Sequence, residues 1–387
     1  MRLRLLLVLS LLALTACSPS GDAGTVPAMG SEVIAIEGAT ALLGAELTPT
    51  KNVTIVVEGG TITQIGSNGR TDVPPGAHLV DATGVTVLPG FIDAHVHIGF
   101  YPPEQVLGNG VTTVRDLAWP PERIFPMVEA SRQPDYNGPS IHAAGPMITV
   151  PGGYPLTAGW APEGTGVGVT TADEARRAVD DTIEQGATVV KVALNPPAGP
   201  TLPRELLEAV VEAAHAHGSK VTAHIYGLDE LQKAVDAGVD ELAHMLMSRE
   251  KIPDPLLSRM VNEDVAIVPT LSVRYGRDKR IATDNLRRFV EAGGRVVYGT
   301  DLGNAGPRPG IDPREVKAMA KAGMTPLDII RSATVGSAAW LGLDDVGALV
   351  VGMNADIVGL RGDPTTDVGA LTDVAFVVRR TTVVDSR

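Results

Sequence analysis

Two histidines separated by one residue, His95 and His97, close the apolar stretch that begins Gly90-Phe91-Ile92-Asp93-Ala94. On a strand, positions i and i+2 face the same side, so the two imidazoles can aim at one point. Convergent imidazoles are what a zinc-like ion takes from a protein. Later apolar runs bring matching groups. Lys191 lies within Val189-Val190-Lys191-Val192, His224 closes Val221-Thr222-Ala223, His244 closes Glu241-Leu242-Ala243, and Asp301 follows Tyr298-Gly299-Thr300. A carboxylate beside a metal can act as ligand and general base together. Lys191 is a special case, because a lone ammonium in a strand buried on both faces is costly. A neutral or modified lysine, or one paired with an acid, removes that cost.

The elements that must position these groups alternate in type. Strand patterns occur at Gly90-Phe91-Ile92, Thr112-Thr113-Val114, Ser140 to Ala144, Val189 to Val192, Val221 to His224, Glu241 to His244, Ala266 to Pro269 and Arg295 to Gly299. Helical patterns lie among them at Thr171 to Gln185, Pro203 to His217, Leu228 to Ala237, Asn285 to Ala292 and Asp312 to Ala322. Eight such units predict an α/β fold, a (β/α)8 TIM-like barrel over residues 89–345, with its reactive groups at the C-terminal strand ends. No Gly-x-Gly-x-x-Gly follows the first strand, which removes support for a nucleotide-binding open sheet. The two flanks read as short β-structure: a hairpin from Val53 to Ile65 turning at Gly59-Gly60, then Ala355 to Leu360, Val374 to Val378 and Thr382 to Val384. Segments 33–88 and 346–387 are therefore expected to build one small β-sandwich domain from both chain ends.

The formal charge of -13 over 387 residues excludes nucleic acid or an anionic membrane surface as the natural partner. At the N-terminus, Arg2 and Arg4 precede an apolar run from Leu5 to Leu14 that is too short to span a bilayer comfortably. The following Leu14-Thr15-Ala16-Cys17 resembles a bacterial lipobox, with Cys17 as the lipidated first residue of the mature chain. Residues 1–17 are then a lipoprotein signal peptide and 18–32 a flexible tether. The expected location is the cell envelope, as a membrane-anchored lipoprotein facing outside the cytoplasm. Cys17 is also the only cysteine, so no intrachain disulfide can form.

Pro89 to His97, Gly299-Thr300-Asp301, and Gly347-Ala348-Leu349 through Ala355-Asp356-Ile357-Val358 together resemble the signatures of the amidohydrolase superfamily. The resemblance spans nearly the whole mature chain. It implies one or two divalent metal ions, zinc first among them, held by His95, His97, Lys191, His224, His244 and Asp301. Lys191 corresponds to the lysine that carbon dioxide carboxylates in that family. The implied reaction is hydrolysis of a C–N bond by metal-activated hydroxide, with Asp301 as general acid and base. Val221 to Gly227 and Glu241 to His244 are similar to the imidazolonepropionase-like branch, which includes Xaa-Pro dipeptidases. Two motifs depart from that branch: Gly152-Gly153-Tyr154 stands where Gly-Gly-His is usual, and Ala243-His244-Met245 where Glu-His-Gly is usual. The expected partner is a small molecule or dipeptide, and association into homo-oligomers is a habit of such families.

Substrate contacts are expected from His142, Tyr226, Arg274 and Tyr275, with Arg308 as a second guanidinium able to hold a carboxylate. The glycine- and proline-rich segment from Gly145 to Thr170, with Tyr154 and Trp160, has the length of a functional loop or lid. His215 and His217 repeat the His-x-His spacing on a helix, where two residues subtend about 200° and the rings diverge. His78 is expected on the surface. Two other readings stay open: a metal-dependent hydrolase of esters or lactones, and a lipid-anchored solute-binding protein that has lost catalysis.

Overall fold

The computed structural model describes residues 33–385; the signal segment with Cys17 and the tether lie outside the described residues. Helices cover the barrel strands outside while other strands' side chains fill the interior, so these runs are apolar on both faces. The first three strands, Phe91–Val96, Val111–Asp116 and Ser140–Ala143, pair in parallel. A second parallel sheet runs through Met147–Thr149, Val190–Leu194, Val221–Ile225, Glu241–Leu242 and Ala266–Ile267.

The third strand is broken in two. Gly145, at φ 70°, and Pro146 interrupt it, so Ser140–Ala143 joins the first sheet and Met147–Thr149 the second. Thr188 N–H donates to Ala143 O across the break at 2.9 Å. The eighth strand is not a regular ladder. Val296 bridges to Ile267 and Leu302 to Val96, both in parallel, and Ala94 N–H donates to Tyr298 O. Those contacts close the ring. The segment expected to be loop from Gly145 to Thr170 holds Met147–Thr149 and a further short strand, Gly166–Gly168, paired in parallel. Three residues each left little periodicity to find.

The outer helices include Ala172–Glu184, Arg204–Ala216, Leu228–Asp236 and Pro313–Lys321, close to their expected spans. The helix expected over Asn285 to Ala292 begins earlier and runs Gly276–Glu291. Its first half carries few apolar residues, which hid it. Strands from both chain ends meet in one eight-stranded sheet, in which Val85–Pro89 pairs antiparallel with Asp356–Arg361. The chain then passes from that sheet into the first barrel strand at Gly90. A Cβ there would fall 2.2 Å from Thr112 Oγ1, so only glycine lets the strands approach.

Below the rim, the barrel interior is charged. Arg115 meets Glu241 at 2.5 Å, and Glu241 also accepts from Thr222 Oγ1 and Trp340 Nε1, both at 2.6 Å. Arg115 Nε donates to Ala94 O on the first strand. All of these groups are buried. Removing one partner strands the other in a medium that solvates it poorly. Glu241→Ala is expected to cost about 3–5 kcal/mol, read as a lowered denaturant midpoint; a change within ~0.5 kcal/mol would show that the network does not hold the barrel.

Candidate active site

His95 and His97 reach the rim from the end of the first strand. A main-chain carbonyl can only accept, so the contacts of His95 Nδ1 to Ala243 O (2.8 Å) and of His97 Nδ1 to Ala118 O (3.3 Å) place each ring proton on Nδ1. Each Nε2 lone pair is then free, and both lie 3.3 Å from Asp301 Oδ1. Outer hydrogen bonds of this kind orient imidazoles for a metal. Asp301 is held by its own N–H donating to His95 O at 2.8 Å, and its backbone sits at φ 59°. That left-handed conformation is one Asp tolerates better than most residues. Gly299 permits the close pass beside it, since a Cβ would lie 2.3 Å from Val268 Cγ1.

His244 adds to the group, with Nδ1 2.9 Å from Thr270 Oγ1 and 3.7 Å from Asp301 Oδ2. Its ring is 4.6 Å from that of His95 and 4.8 Å from that of His224, centre to centre. His224 Nε2 lies 3.2 Å from Asn195 Nδ2. Lys191 is fully buried, and its Nζ has no hydrogen-bond partner. Its nearness is felt electrostatically: after burial, its charge is the next cause holding His95 and His224 below the usual imidazole range, and it also acts on His244. His97 moves the other way. Burial disfavours its cation, but the neighbouring Asp301 carboxylate outweighs that and raises it.

His95, His97, His224, His244 and Asp301 floor a cavity of about 370 Å³, walled by Phe100, Met147, Tyr154, Trp160 and Met247 and reached by Arg274 and Tyr275. The Tyr154 ring lies 4.9 Å from that of His224, and Trp160 lies 5.3 Å from His97. Residues 86–385 match the model of the Amidohydrolase family. The chain belongs to that family. This amidohydrolase is 29% identical over 331 residues to the enamidase of Eubacterium barkeri, covering 79% of this chain and 80% of the enamidase. It is 25% identical over 399 residues to the ochratoxinase of Aspergillus niger, covering 83% and 79%. A solved Xaa-Pro dipeptidase with bound methionine superposes with a TM-score of 0.77 at 23% identity, covering 91% of this chain and all of that one. That likeness speaks for the fold.

The donor set of the amidohydrolase fits a divalent metal. Ligand atoms of His95, His97 and Asp301 lie within 4.8 Å of one another, all three residues buried. Asp301 Oδ1 and Lys191 Nζ are buried without hydrogen-bond partners, as atoms reserved for another ligand would be.

Two expected substrate contacts are corrected. His142 does not reach this cavity. It pairs in register with Arg115, low in the barrel, and lines a separate small cavity with Asp345 and Arg380. Burial there pushes His142 down to about 4. Tyr226 is exposed and also lies off the cavity. Its strand ends at Ile225, so alternation no longer aims the next side chain inward. Arg308 is not a cavity residue either; its N–H caps Asp312. His215 and His217 diverge to surface pairs with Asp240 and Asp180, and His78 is exposed.

Sequence reading missed Asn195, Thr270 and the carboxylates that brace the rim. Asp93 accepts from His95 N–H, Thr300 N–H and Thr300 Oγ1, tying the first strand to the eighth. Glu315 accepts from Ser272 N–H at 2.6 Å, and Ser272 Oγ donates to Thr300 O, which fixes the segment leading to Arg274. Burial pushes Glu315 up to about 7 from 4.5. The folded chain therefore keeps a proton that the unfolded chain has lost, so this group's contribution falls as pH rises through that window. Glu315→Gln is expected to flatten the decline in stability between pH ~4.5 and ~7, a span worth no more than roughly 3 kcal/mol. Urea melts across that range decide it; an unchanged slope would show that Glu315 is not the titrating group.

Proposed function

We propose that this amidohydrolase cleaves an amide or peptide C–N bond in a small molecule that joins an apolar or ring-bearing group to a carboxylate. The observation that carries this reading is the convergence of His95 Nε2 and His97 Nε2 on one oxygen of Asp301, 3.3 Å from each, at the floor of a cavity walled by aromatic rings. His95, His97, Lys191, His224, His244 and Asp301 would hold one or two divalent ions, zinc first among the candidates, with Lys191 carboxylated. When bound, such an ion supplies Lewis acidity toward a carbonyl and lowers the pKa of water.

The rest is work for the chain's own side chains. Asp301 takes a proton at its carboxylate and returns it to the leaving nitrogen. Phe100, Tyr154 and Trp160 present ring faces to an apolar group and exclude water. Burial and the charge of Asp301 push the Tyr154 phenol above its usual range, so it stays a hydrogen-bond donor at all working pH. Arg274 is buried, with Nη2 donating to Met245 O at 2.9 Å and Nε unpartnered. That free donor beside the cavity suits a substrate carboxylate. Support for the bond class comes from the enamidase and ochratoxinase likenesses. The location proposed is the envelope, tethered through Cys17, on the strength of the N-terminal pattern.

The test is a hydrolysis panel of Xaa-Pro and other dipeptides, N-acyl amino acids, cyclic amides and lactones, run with zinc or manganese and bicarbonate. Amides bearing a neighbouring carboxylate should turn over. Arg274→Ala should raise KM for them by ~10–100-fold with a smaller effect on kcat, as expected for one charged hydrogen-bond donor. Turnover of lactones alone would replace the amide reading.

A further inference from the structure

Beside the catalytic cavity, the acidic surface changes sign. A groove of about 360 Å³ is lined by Arg249, Lys251, Arg277, Arg280, Ile281 and Asp284. Two segments of chain lead from the cavity to it: Arg249 follows Met247 by two residues, and Arg277 follows Tyr275 by two, where Met247 and Tyr275 are both cavity residues. Four exposed cations gather here on a chain whose formal charge is -13.

Of the four, only Arg249 is paired with a neighbouring acid. Asp278 accepts from Arg249 Nε at 2.5 Å, and Asp284 accepts from Arg287 at 2.7 Å. Lys251, Arg277 and Arg280 have no ion pair or side-chain hydrogen bond among the described residues. Arg277 and Arg280 stand in the opening turns of Gly276–Glu291, whose N-terminus has no side-chain cap from Tyr275 and carries Asp278 in its first turn. Asp278 complements the dipole there, while Arg277 and Arg280 oppose it. An anionic ligand would give these two unpaired guanidinium groups a partner.

We propose that this groove receives the carboxylate-bearing tail of a substrate whose scissile bond sits in the catalytic cavity. The class is a multiply carboxylated amide, such as a short acidic peptide. The buried guanidinium of Arg274 supplies a positive charge inside the catalytic cavity itself. The inference rests on the proposed amide hydrolysis only for the inner end of the ligand; anion capture by the groove stands apart from turnover.

The test is equilibrium binding by calorimetry to full-length Asp301→Asn, which cannot turn the probes over. The probes are N-acetyl-tri-glutamate and, as the uncharged control, N-acetyl-tri-glutamine. The acidic peptide should bind at least tenfold more tightly, and the preference should shrink as salt rises from about 20 to about 300 mM. Arg277→Glu with Arg280→Glu should abolish the preference, and Lys251→Gln, an isolated and mild surface change, should reduce it. Equal affinity for the two peptides would overturn the inference, as would a preference that survives the double reversal in a protein with an unchanged circular-dichroism spectrum. Absence of hydrolysis by the parent chain would count against the amide reading and leave this binding result intact.

Discussion

Asp301→Asn is expected to lower kcat by ~10²–10⁴-fold, the range that a positioned general acid and base supplies. The substitution separates chemistry from folding unusually well. Asparagine is nearly isosteric with aspartate and is among the residues best able to sit at the φ of 59° found here. Its N–H can still donate to His95 O, so the eighth strand stays in place. What it lacks is a basic oxygen. Oδ1 lies between two imidazole Nε2 atoms at 3.3 Å, and a neutral amide there neither accepts a proton nor offers charge to a divalent ion. Thermal melting should stay within a few degrees of the parent, a shift of about 1 kcal/mol or less. A variant that keeps its activity would remove Asp301 from the chemistry; one that unfolds would show a structural role instead.

Lys191→Met is expected to have two opposite effects. In metal-free protein it should raise stability, because methionine fills a similar volume without a charge, and Lys191 Nζ has no partner to lose. Burial pushes Lys191 down to about 7 from 10.5, so the sign can be worked out. Between those values the unfolded chain binds a proton that the folded chain does not, and parent stability rises with pH. The advantage of the variant should therefore be greatest below pH ~7 and fade toward pH ~10.5, with a ceiling of about 5 kcal/mol. Activity should move the other way, falling by at least ~10²-fold, as when the support of a metal site is removed. Chemical melts of parent and variant after chelation, paired with turnover after reloading, read both effects. A variant that is less stable below pH ~7 would show that Lys191 has a compensating partner, and one that keeps full turnover would show that it is no ligand.

The parts of the site legible in sequence were those set by strand alternation and by strand-end position. His95 and His97 share a side because they are two residues apart on an extended chain, and no tertiary knowledge is needed. His224 and His244 follow from ending their apolar runs. His142 lies away from the cavity, on the Ser140–Ala143 half of a third strand that is split between two sheets, and neither the split nor the separate cavity shows in the local pattern. Tyr226 lies just beyond the strand Val221–Ile225, where alternation no longer decides which way a side chain points. Arg115 and Glu241 form one buried pair across 126 residues of sequence, and neither carries a local sign of the other. Asn195 and Thr270 are likewise defined only by what they touch. The barrel was legible as eight alternating units, whereas its eighth strand, held by isolated bridges, was legible only as an apolar run ending in a motif.

The most direct test of the metal-centre reading is the metal content of the desalted full-length protein by plasma mass spectrometry, beside the same measurement on His95→Ala with His97→Ala. About one or two divalent ions per chain, lost in the double variant, is the expected result for this donor set. A parent chain that holds no ion after loading, or a double variant that retains its full complement, would contradict it.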